Sequence, residues 1–128
     1  MNSIRTHKLI DPTLCGNPLE LKTNYSRIEL ITSSKMAVDE KGLIHGGFIF
    51  GLADYAAMLA VNDPNVVLGS SESKFLKPVR VGDTVIAEAI ISSTDKKKRF
   101  VDVGVTRDGV PVFKGSFTCF ILDNHVLD

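Results

Sequence analysis

The longest apolar segment of the chain, residues 48–62, predicts a helix. It is rich in Ala, Leu and Met and contains no proline, the next one being Pro64, which favours uninterrupted helical turns. Its apolar residues cover almost the whole circumference, and apart from the Tyr55 phenol its only ionisable group is Asp54. A helix that is apolar all round lies inside a core, so we expect a sheet to wrap around it.

The rest of the pattern is typical of β-strands. Residues 1–17 carry little pattern, and the run 4–14 fits either a short strand or a helical turn. Asp108-Gly109 is a strong hairpin signal, and the short connections after the helix predict antiparallel neighbours. One long helix against a curved antiparallel sheet is an α+β architecture. The predicted strands lie within residues 19–32, 66–77, 84–93, 100–107 and 110–122.

Length, charge and cysteine content narrow the class of protein. The chain has 128 residues, which suits one domain over 1–128. Its 15 basic and 15 acidic residues give a net charge of zero, which argues against a nucleic-acid partner. Residues 1–11 lack the apolar region of a signal peptide, and no apolar run is long enough to span a bilayer. We therefore expect a cytoplasmic protein with no membrane partner, and Cys15 and Cys119 form no ligand cluster that predicts a metal.

Asp54 is the most informative residue. A carboxylate on an apolar helix costs several kcal/mol to bury unless it has a partner or faces a cavity. Burial raises the pKa of such a group, which suits a general base or a nucleophile. A salt bridge or a cap at a solvent-facing point of the helix explains the residue equally well.

Gly46 and Gly47 precede the helix and form a second candidate feature. Free N–H groups at a helix N-terminus can stabilise an oxyanion, although a Gly-Gly pair is more often only a tight turn. His45 could act as a base, but we favour a structural hydrogen-bonding role. His7 and His125 lie in unpatterned ends of the chain, and no sequence pattern predicts a functional role for either.

Two motifs resemble those of a known family. The first is Gly42-Leu43-Ile44-His45-Gly46-Gly47, then six residues, then Asp54. The second is Lys74-Phe75-Leu76-Lys77-Pro78-Val79, then two residues, then Gly82-Asp83. Together they resemble the small hotdog-fold acyl-CoA thioesterases of the phenylacetate-pathway type, over a core of about residues 20–122.

The resemblance implies a fold and an assignment of roles. It implies a hotdog fold, in which a central helix at about 47–62 is wrapped by five or six antiparallel strands. It also implies that Asp54 is the active acid, that Gly46 supplies the oxyanion amide and that the backbone of Gly47 supports it.

The spacing of Gly46 and Asp54 has a consequence of its own. Eight residues along one helix separate them by roughly 12 Å, whereas both groups must act on the same carbonyl. We therefore expect a homodimer, or a dimer of dimers, in which antiparallel helices bring Asp54 of one chain to Gly46 of the other.

Two positions depart from the pattern of the resembled enzymes. Several of those enzymes carry Asn where this chain has Asp39, and some carry Ser or Thr where it has Leu68, with Ser70 and Ser71 nearby. We expect these changes to weaken the positioning of water, and Asp39 to repel Asp54 if the two carboxylates are close.

The proposed substrate is an acyl thioester of coenzyme A or of acyl-carrier protein, with no cofactor beyond the coenzyme A of the substrate. Its phosphates could pair with cations, although a solvated hairpin tip is the better interpretation of Lys96 to Arg99. Phe48, Tyr55 and Met58 could line an acyl pocket, although core packing is the commoner role of such side chains. The candidate cations outside the hairpin are Lys74, Lys77 and Arg80.

Three functions compete on this basis. The first is an acyl-CoA thioesterase that uses Asp54 and Gly46. The second is a non-catalytic acyl-CoA binder or sensor, which the changes at Asp39 and Leu68 favour. The third is a dehydratase acting on hydroxyacyl thioesters, which needs a catalytic histidine. His45 is the one plausible histidine, and the glycines that follow it fit the thioesterase pattern better.

Overall fold

One helix lies against a six-stranded antiparallel sheet in the computed structural model, which describes residues 1–128. A short helical turn precedes the first strand, and a 3-10 turn, Ser34–Met36, lies in the loop before the long helix. This is the α+β architecture that the pattern predicts, with six strands. The elements are α1 (Pro12–Cys15), β1 (Asn17–Lys22), β2 (Tyr25–Ile31), α2 (Gly46–Val61), β3 (Val66–Phe75), β4 (Thr84–Asp95), β5 (Lys98–Arg107) and β6 (Val110–Ile121).

The strand order is β1-β2-β4-β5-β6-β3, and all neighbours are antiparallel. The expectation that short connections make successive strands after the helix antiparallel neighbours was wrong at one place, because β3 pairs with β6 rather than β4. The segment between β3 and β4 contains Pro78, and it bonds instead to the loop before α2, where Ile44 N–H donates to Val79 O at 2.9 Å. The strand β3 therefore forms one edge of the sheet.

The helix α2 is the centre of the core. Leu52, Ala53, Ala56 and Leu59 are fully buried, and the concave face of the sheet supplies alternating residues such as Val103 and Val105 against them. The expectation of a wrapped, apolar helix is confirmed. No helix combines the length and the apolar character needed to cross a bilayer.

Both ends of α2 are capped by their own residues. The helix begins at Gly46, two residues before the predicted Phe48, because His45 is its N-cap and the two glycines form its first turn. It ends at Val61, and Asn62 adopts the left-handed conformation that closes the last turn.

The N-terminal segment, residues 2–10, packs near the C-terminal end of α2. Asn2 N–H donates to Leu21 O at 2.8 Å, and Arg5 N–H donates to the side-chain oxygen of Asn62 at 2.8 Å. The side chain of Thr6 is buried. Of the two alternatives for residues 4–14, the helical turn is correct and falls at α1. The unpatterned start of the chain is thus part of the fold.

Candidate functional site

Asp54 lies at the middle of α2, half-buried and without a partner. Its Oδ1 atom is buried and accepts no hydrogen bond, and no salt bridge includes the residue. Burial raises its pKa to about 6. The salt-bridge and capping explanations of Asp54 therefore find no support, and the carboxylate is left available for chemistry.

A cleft of about 610 Å³ opens in front of Asp54. The N-terminal segment supplies one wall and β3 the opposite wall, while Met58 lies one helical turn beyond Asp54. The C-terminal residues His125 and Val126 complete the rim. The lining is Arg5, Thr6, His7, Lys8, Asp54, Met58, Pro64, Asn65, Val66, Val67, Leu68, His125 and Val126.

The other end of the candidate site is the N-terminus of α2. The Gly47 N–H donates to Nδ1 of His45 at 2.7 Å, so this ring caps the helix, as we favoured from the sequence. A Cβ on Gly47 would stand 2.7 Å from the same Nδ1 atom, which explains the glycine. The Gly47 amide is thus occupied, whereas the Gly46 N–H has no acceptor within the chain.

Phe75 covers Gly46. A Cβ on Gly46 would stand 3.1 Å from the Phe75 ring, which packs edge-on against Phe113 at 5.1 Å between centroids. Phe75 is nevertheless 58% exposed, so one side of the ring faces solvent beside the free amide. Our site prediction missed Phe75, although it stands in the second motif.

Gly46 and Asp54 line different clefts of the chain. The Gly46 cleft, of about 360 Å³, is bounded by Ile49, Phe75 and Lys77 among other residues, and it shares no residue with the Asp54 cleft. One chain therefore does not bring the two groups together, in keeping with the spacing argument.

The other predicted substrate-binding residues are scattered. Lys77 borders the Gly46 cleft, Lys74 lies in a groove on the outer face of the sheet, and Arg80 is exposed in the loop before β4. Lys96 and Lys97 form the exposed tip of the β4–β5 hairpin, as interpreted from the sequence.

The apolar candidates divide in a similar way. Tyr55 is buried in the core, at 4% exposure. Phe48 is half-buried beside the His45 ring, at 6.3 Å between centroids. Met58 is the one that lines the Asp54 cleft.

His7 was dismissed from the sequence and lies in the Asp54 cleft. Its ring centroid is 6.3 Å from that of Tyr55, and partial burial lowers its pKa. Its φ is +54°, a conformation that non-glycine residues rarely adopt. No local sequence signal marks it, because its place depends on how the N-terminal segment packs. No group of three His, Cys, Asp or Glu side chains that could hold a metal occurs in residues 1–128.

The family follows from a comparison with known proteins. The thioesterase superfamily model matches residues 41–113, more than half of the chain. The chain belongs to the thioesterase superfamily. The matched part contains both Gly46 and Asp54, and the resemblance seen in the motifs is confirmed.

Solved structures confirm the hotdog fold of this thioesterase-superfamily chain. An uncharacterized protein from Pyrococcus horikoshii is 54% identical, with a TM-score of 0.98 over 99% of this chain and 98% of that one. A mutant of the phenylacetic acid degradation protein PaaI from Thermus thermophilus is 27% identical, with a TM-score of 0.79 over 85% of this chain and 95% of that one.

The curated relatives are longer than this chain. Methylthioribose-1-phosphate isomerase of Aquifex aeolicus is 49% identical over 121 residues, which are 94% of this chain and 26% of that protein. Transcription factor FapR of Caldanaerobacter subterraneus is 23% identical over 98% of this chain and 64% of that protein. The chain therefore spans less than two thirds of the length of these relatives.

The two departures from the thioesterase pattern fall in different places. Asp39 shapes the loop before α2, since its Oδ1 accepts from the N–H groups of Lys41 at 3.0 Å and Leu43 at 3.3 Å. Burial is the cause of the raised pKa of Asp54, so Asp39 of the same chain does not repel it. Leu68 lines the Asp54 cleft, whereas Ser70 and Ser71 lie beyond it along β3.

Proposed function

We propose that this thioesterase-superfamily chain hydrolyses acyl-CoA thioesters at a site shared by two copies of the chain. The observation that carries the proposal is the buried, unpartnered Oδ1 atom of Asp54 on an otherwise apolar helix. Such an atom is costly to keep unless it serves chemistry. The complementary group is the unpartnered N–H of Gly46, at the start of the equivalent helix in the second copy.

Asp54 acts as the base and Gly46 as the electrophilic donor. With its pKa raised to about 6, Asp54 is mostly ionised at pH 7 and still basic enough to take a proton from water. The water oxygen forms a bond to the thioester carbon, and the carbonyl oxygen becomes an oxyanion. The Gly46 N–H, at the positive end of the helix dipole, binds that oxyanion.

Collapse of the tetrahedral intermediate completes the reaction. The carbon–sulfur bond breaks, and the leaving thiolate takes the proton that Asp54 holds. This transfer returns Asp54 to the carboxylate for the next turnover, and the acid product loses its own proton to solvent.

Two chains are needed because Asp54 and Gly46 are roughly 12 Å apart along one helix and line separate clefts. The edge strand β3 is ten residues long, with one side of its backbone unpaired. Such an edge favours pairing with a second copy. An antiparallel partner across β3 would bring its helix N-terminus towards Asp54.

Coenzyme A is the thiol carrier that we favour. Its phosphates are anionic, and Lys77 offers a cation at the border of the Gly46 cleft. The exposed side of the Phe75 ring offers a flat apolar surface beside the reacting carbonyl. No further cofactor enters the scheme, and we place the protein in the cytoplasm, where acyl-CoA is found.

Release of free thiol from a panel of short, aromatic and long-chain acyl-CoAs tests this function. We expect hydrolysis of at least one substrate, with kcat lowered by about 10²-fold or more in Asp54→Asn, because the base is removed. Asp102→Asn is the matched control, because Asp102 is an exposed carboxylate on the sheet. Rates in the wild type that equal those of Asp54→Asn for every acyl-CoA and acyl-carrier-protein substrate would overturn the proposal.

A non-catalytic acyl-CoA binder or sensor is the second candidate. Leu68 places an apolar wall beside Asp54 where some thioesterases carry a hydroxyl, and a curated relative is named a transcription factor. Titration calorimetry with intact acyl-CoA, followed by a thiol assay over several hours, separates the two. Tight binding without thiol release favours the binder, and release favours the enzyme.

A further inference from the structure

The Asp54 cleft contains a second side chain suited to handling protons. His7 lines the same cleft as Asp54, but it comes from the N-terminal segment, outside residues 41–113 that match the superfamily. His7 is an exposed residue. The two residues therefore face one volume from different elements of the chain.

The backbone at His7 is held in an unfavourable conformation. Five non-glycine residues have positive φ angles, and four of them lie in hairpin turns or at the end of α2: Asn24, Asn62, Lys96 and Asp108. His7, at +54°, lies in neither setting. A left-handed non-glycine residue costs on the order of 1 kcal/mol, and such strain is often retained where it directs a side chain into a site.

The ring of His7 contacts the side chains of Thr6 and Tyr55. Nδ1 of His7 lies 2.8 Å from the Thr6 hydroxyl, and Thr6 is buried. In the tautomer whose Nδ1–H donates to that hydroxyl, which is the one that the proposal requires, Nε2 carries the free lone pair. The Tyr55 ring packs beside the imidazole, and partial burial lowers the pKa of His7, so the neutral form prevails at pH 7.

The other ionisable groups that face the cleft are less suitable as acceptors. Arg5 and Lys8 lie on the same segment as His7 and carry only donors. His125, at the C-terminal rim, is exposed, and its Nδ1 already accepts from Leu127 N–H at 3.0 Å. Leu68 and Met58 are apolar. On the β3 side, therefore, Leu68 offers nothing to a water molecule bound at Asp54.

We propose that His7 is a further catalytic residue, whose Nε2 atom accepts one hydrogen of the hydrolytic water while Asp54 accepts the other. A water held by two acceptors directs an oxygen lone pair at the thioester carbon. Asp54 takes the proton as the carbon–oxygen bond forms and returns it to the departing thiolate. His7 takes the proton that the acid product releases and passes it to solvent. This inference rests on the proposed thioesterase function.

Steady-state kinetics of His7→Ala and His7→Gln test the inference. We expect kcat to fall about 10- to 100-fold with KM nearly unchanged, because the water loses orientation while the acyl-CoA contacts remain. Asp102→Asn, at an exposed carboxylate on the sheet outside the Asp54 cleft, should keep the wild-type kcat. Far-UV circular dichroism and thermal unfolding establish that each variant is folded.

The pH profile supplies a readout that a structural role would not change. Asp54 and His7 must both be deprotonated for the reaction. In the acid range below pH 6, log kcat/KM of the wild type should therefore increase with pH, with a slope approaching 2. In His7→Gln the slope should drop to 1. In a second experiment, Leu68→Thr places a hydroxyl on the β3 wall of the Asp54 cleft. Combined with His7→Ala, it should restore part of the rate that His7→Ala loses.

The outcomes separate the inference from the proposed function. If the wild type hydrolyses acyl-CoA and Asp54→Asn does not, yet His7→Gln keeps the wild-type kcat and acid limb, the role of His7 is overturned and the thioesterase function stands. If the wild type is no faster than Asp54→Asn, both fail together.

Discussion

The Nδ1 atom of His45 accepts the N–H of Gly47 at 2.7 Å, and this bond fixes the first turn of α2. It removes the Gly47 amide from the set of donors that can reach a ligand. It also leaves the adjacent Gly46 N–H as the free donor at the start of the helix. In the proposed reaction, the histidine of the first motif thereby determines which glycine amide is free to bind the oxyanion.

Removal of this cap should cost stability rather than chemistry. We expect His45→Ala to lower the free energy of unfolding by about 1 kcal/mol, because an N-cap acceptor is lost, and urea denaturation measures this. His45→Asn, which supplies another good N-cap acceptor, should retain most of the stability and the activity. Loss of kcat in both variants with unchanged stability would instead assign His45 a direct role in the reaction.

Gly46 and Phe75 should be energetically coupled. A Cβ on Gly46 would stand 3.1 Å from the Phe75 ring, so Gly46→Ala forces the ring to move. We expect Gly46→Ala to lower kcat/KM, and Phe75→Leu to remove much of that effect. A double-mutant cycle on kcat/KM should give a coupling of about 1 kcal/mol. Additive single-variant effects would contradict the packing described for this ring.

The shared site can be tested by mixing two inactive chains. Gly46→Pro removes the N–H at the first helical position, where proline is tolerated, and His45 has the extended backbone, with ψ of 130°, that precedes proline well. Denaturing and refolding this variant together with Asp54→Asn should recover about a quarter of the wild-type activity, since half the dimers regain one of two sites. Refolded Gly46→Pro/Asp54→Asn double-variant chains should remain inactive.

The raised pKa of Asp54 should make this residue destabilising at neutral pH. Its pKa is about 6 in the folded chain against 3.8 in the reference state, so the folded state binds the proton more tightly. Stability should therefore fall as pH rises from about 4 to 6 and remain low above 6. Asp54→Asn should raise the free energy of unfolding at pH 8 on the order of 2–3 kcal/mol.

Urea denaturation at pH 8 and pH 4.5 measures this difference. The advantage of Asp54→Asn should narrow at pH 4.5, and the exposed control Asp102→Asn should show no such trend. An equal advantage at both pH values would mean that burial of charge is not its source.

The sequence predicted the elements better than their partners. The alternation of apolar and polar residues along β4, β5 and β6 marks their buried faces, on which Val85, Val101 and Phe117 lie. The pairing of β3 with β6 was not predictable, because it depends on long-range contacts of the β3–β4 connection, such as the bond from Leu76 N–H to Val112 O at 2.8 Å. The start of α2 was placed late, because its two glycines have low helix propensity and the cap bond of His45 outweighs it.

Prediction of the site was limited for a related reason. Asp54 was recognisable because a single carboxylate on an apolar helix is unusual at the level of composition. His7 and Phe75 were not recognised, because their roles depend on where a distant segment and a strand end lie against α2. Local patterns carry little information about such long-range packing.

The edge strand β3 touches both halves of the candidate site. Near its start, Leu68 forms a wall of the Asp54 cleft, and at its end the Phe75 ring covers Gly46. Between them, the register with β6 shifts beside Gly69, where a Cβ would stand 2.2 Å from the Phe120 ring. This irregularity lies on the stretch of β3 that separates Leu68, at the Asp54 cleft, from Phe75, over Gly46. A side chain at position 69 would therefore force the Phe120 ring or the strand to shift, without touching Asp54 or Gly46.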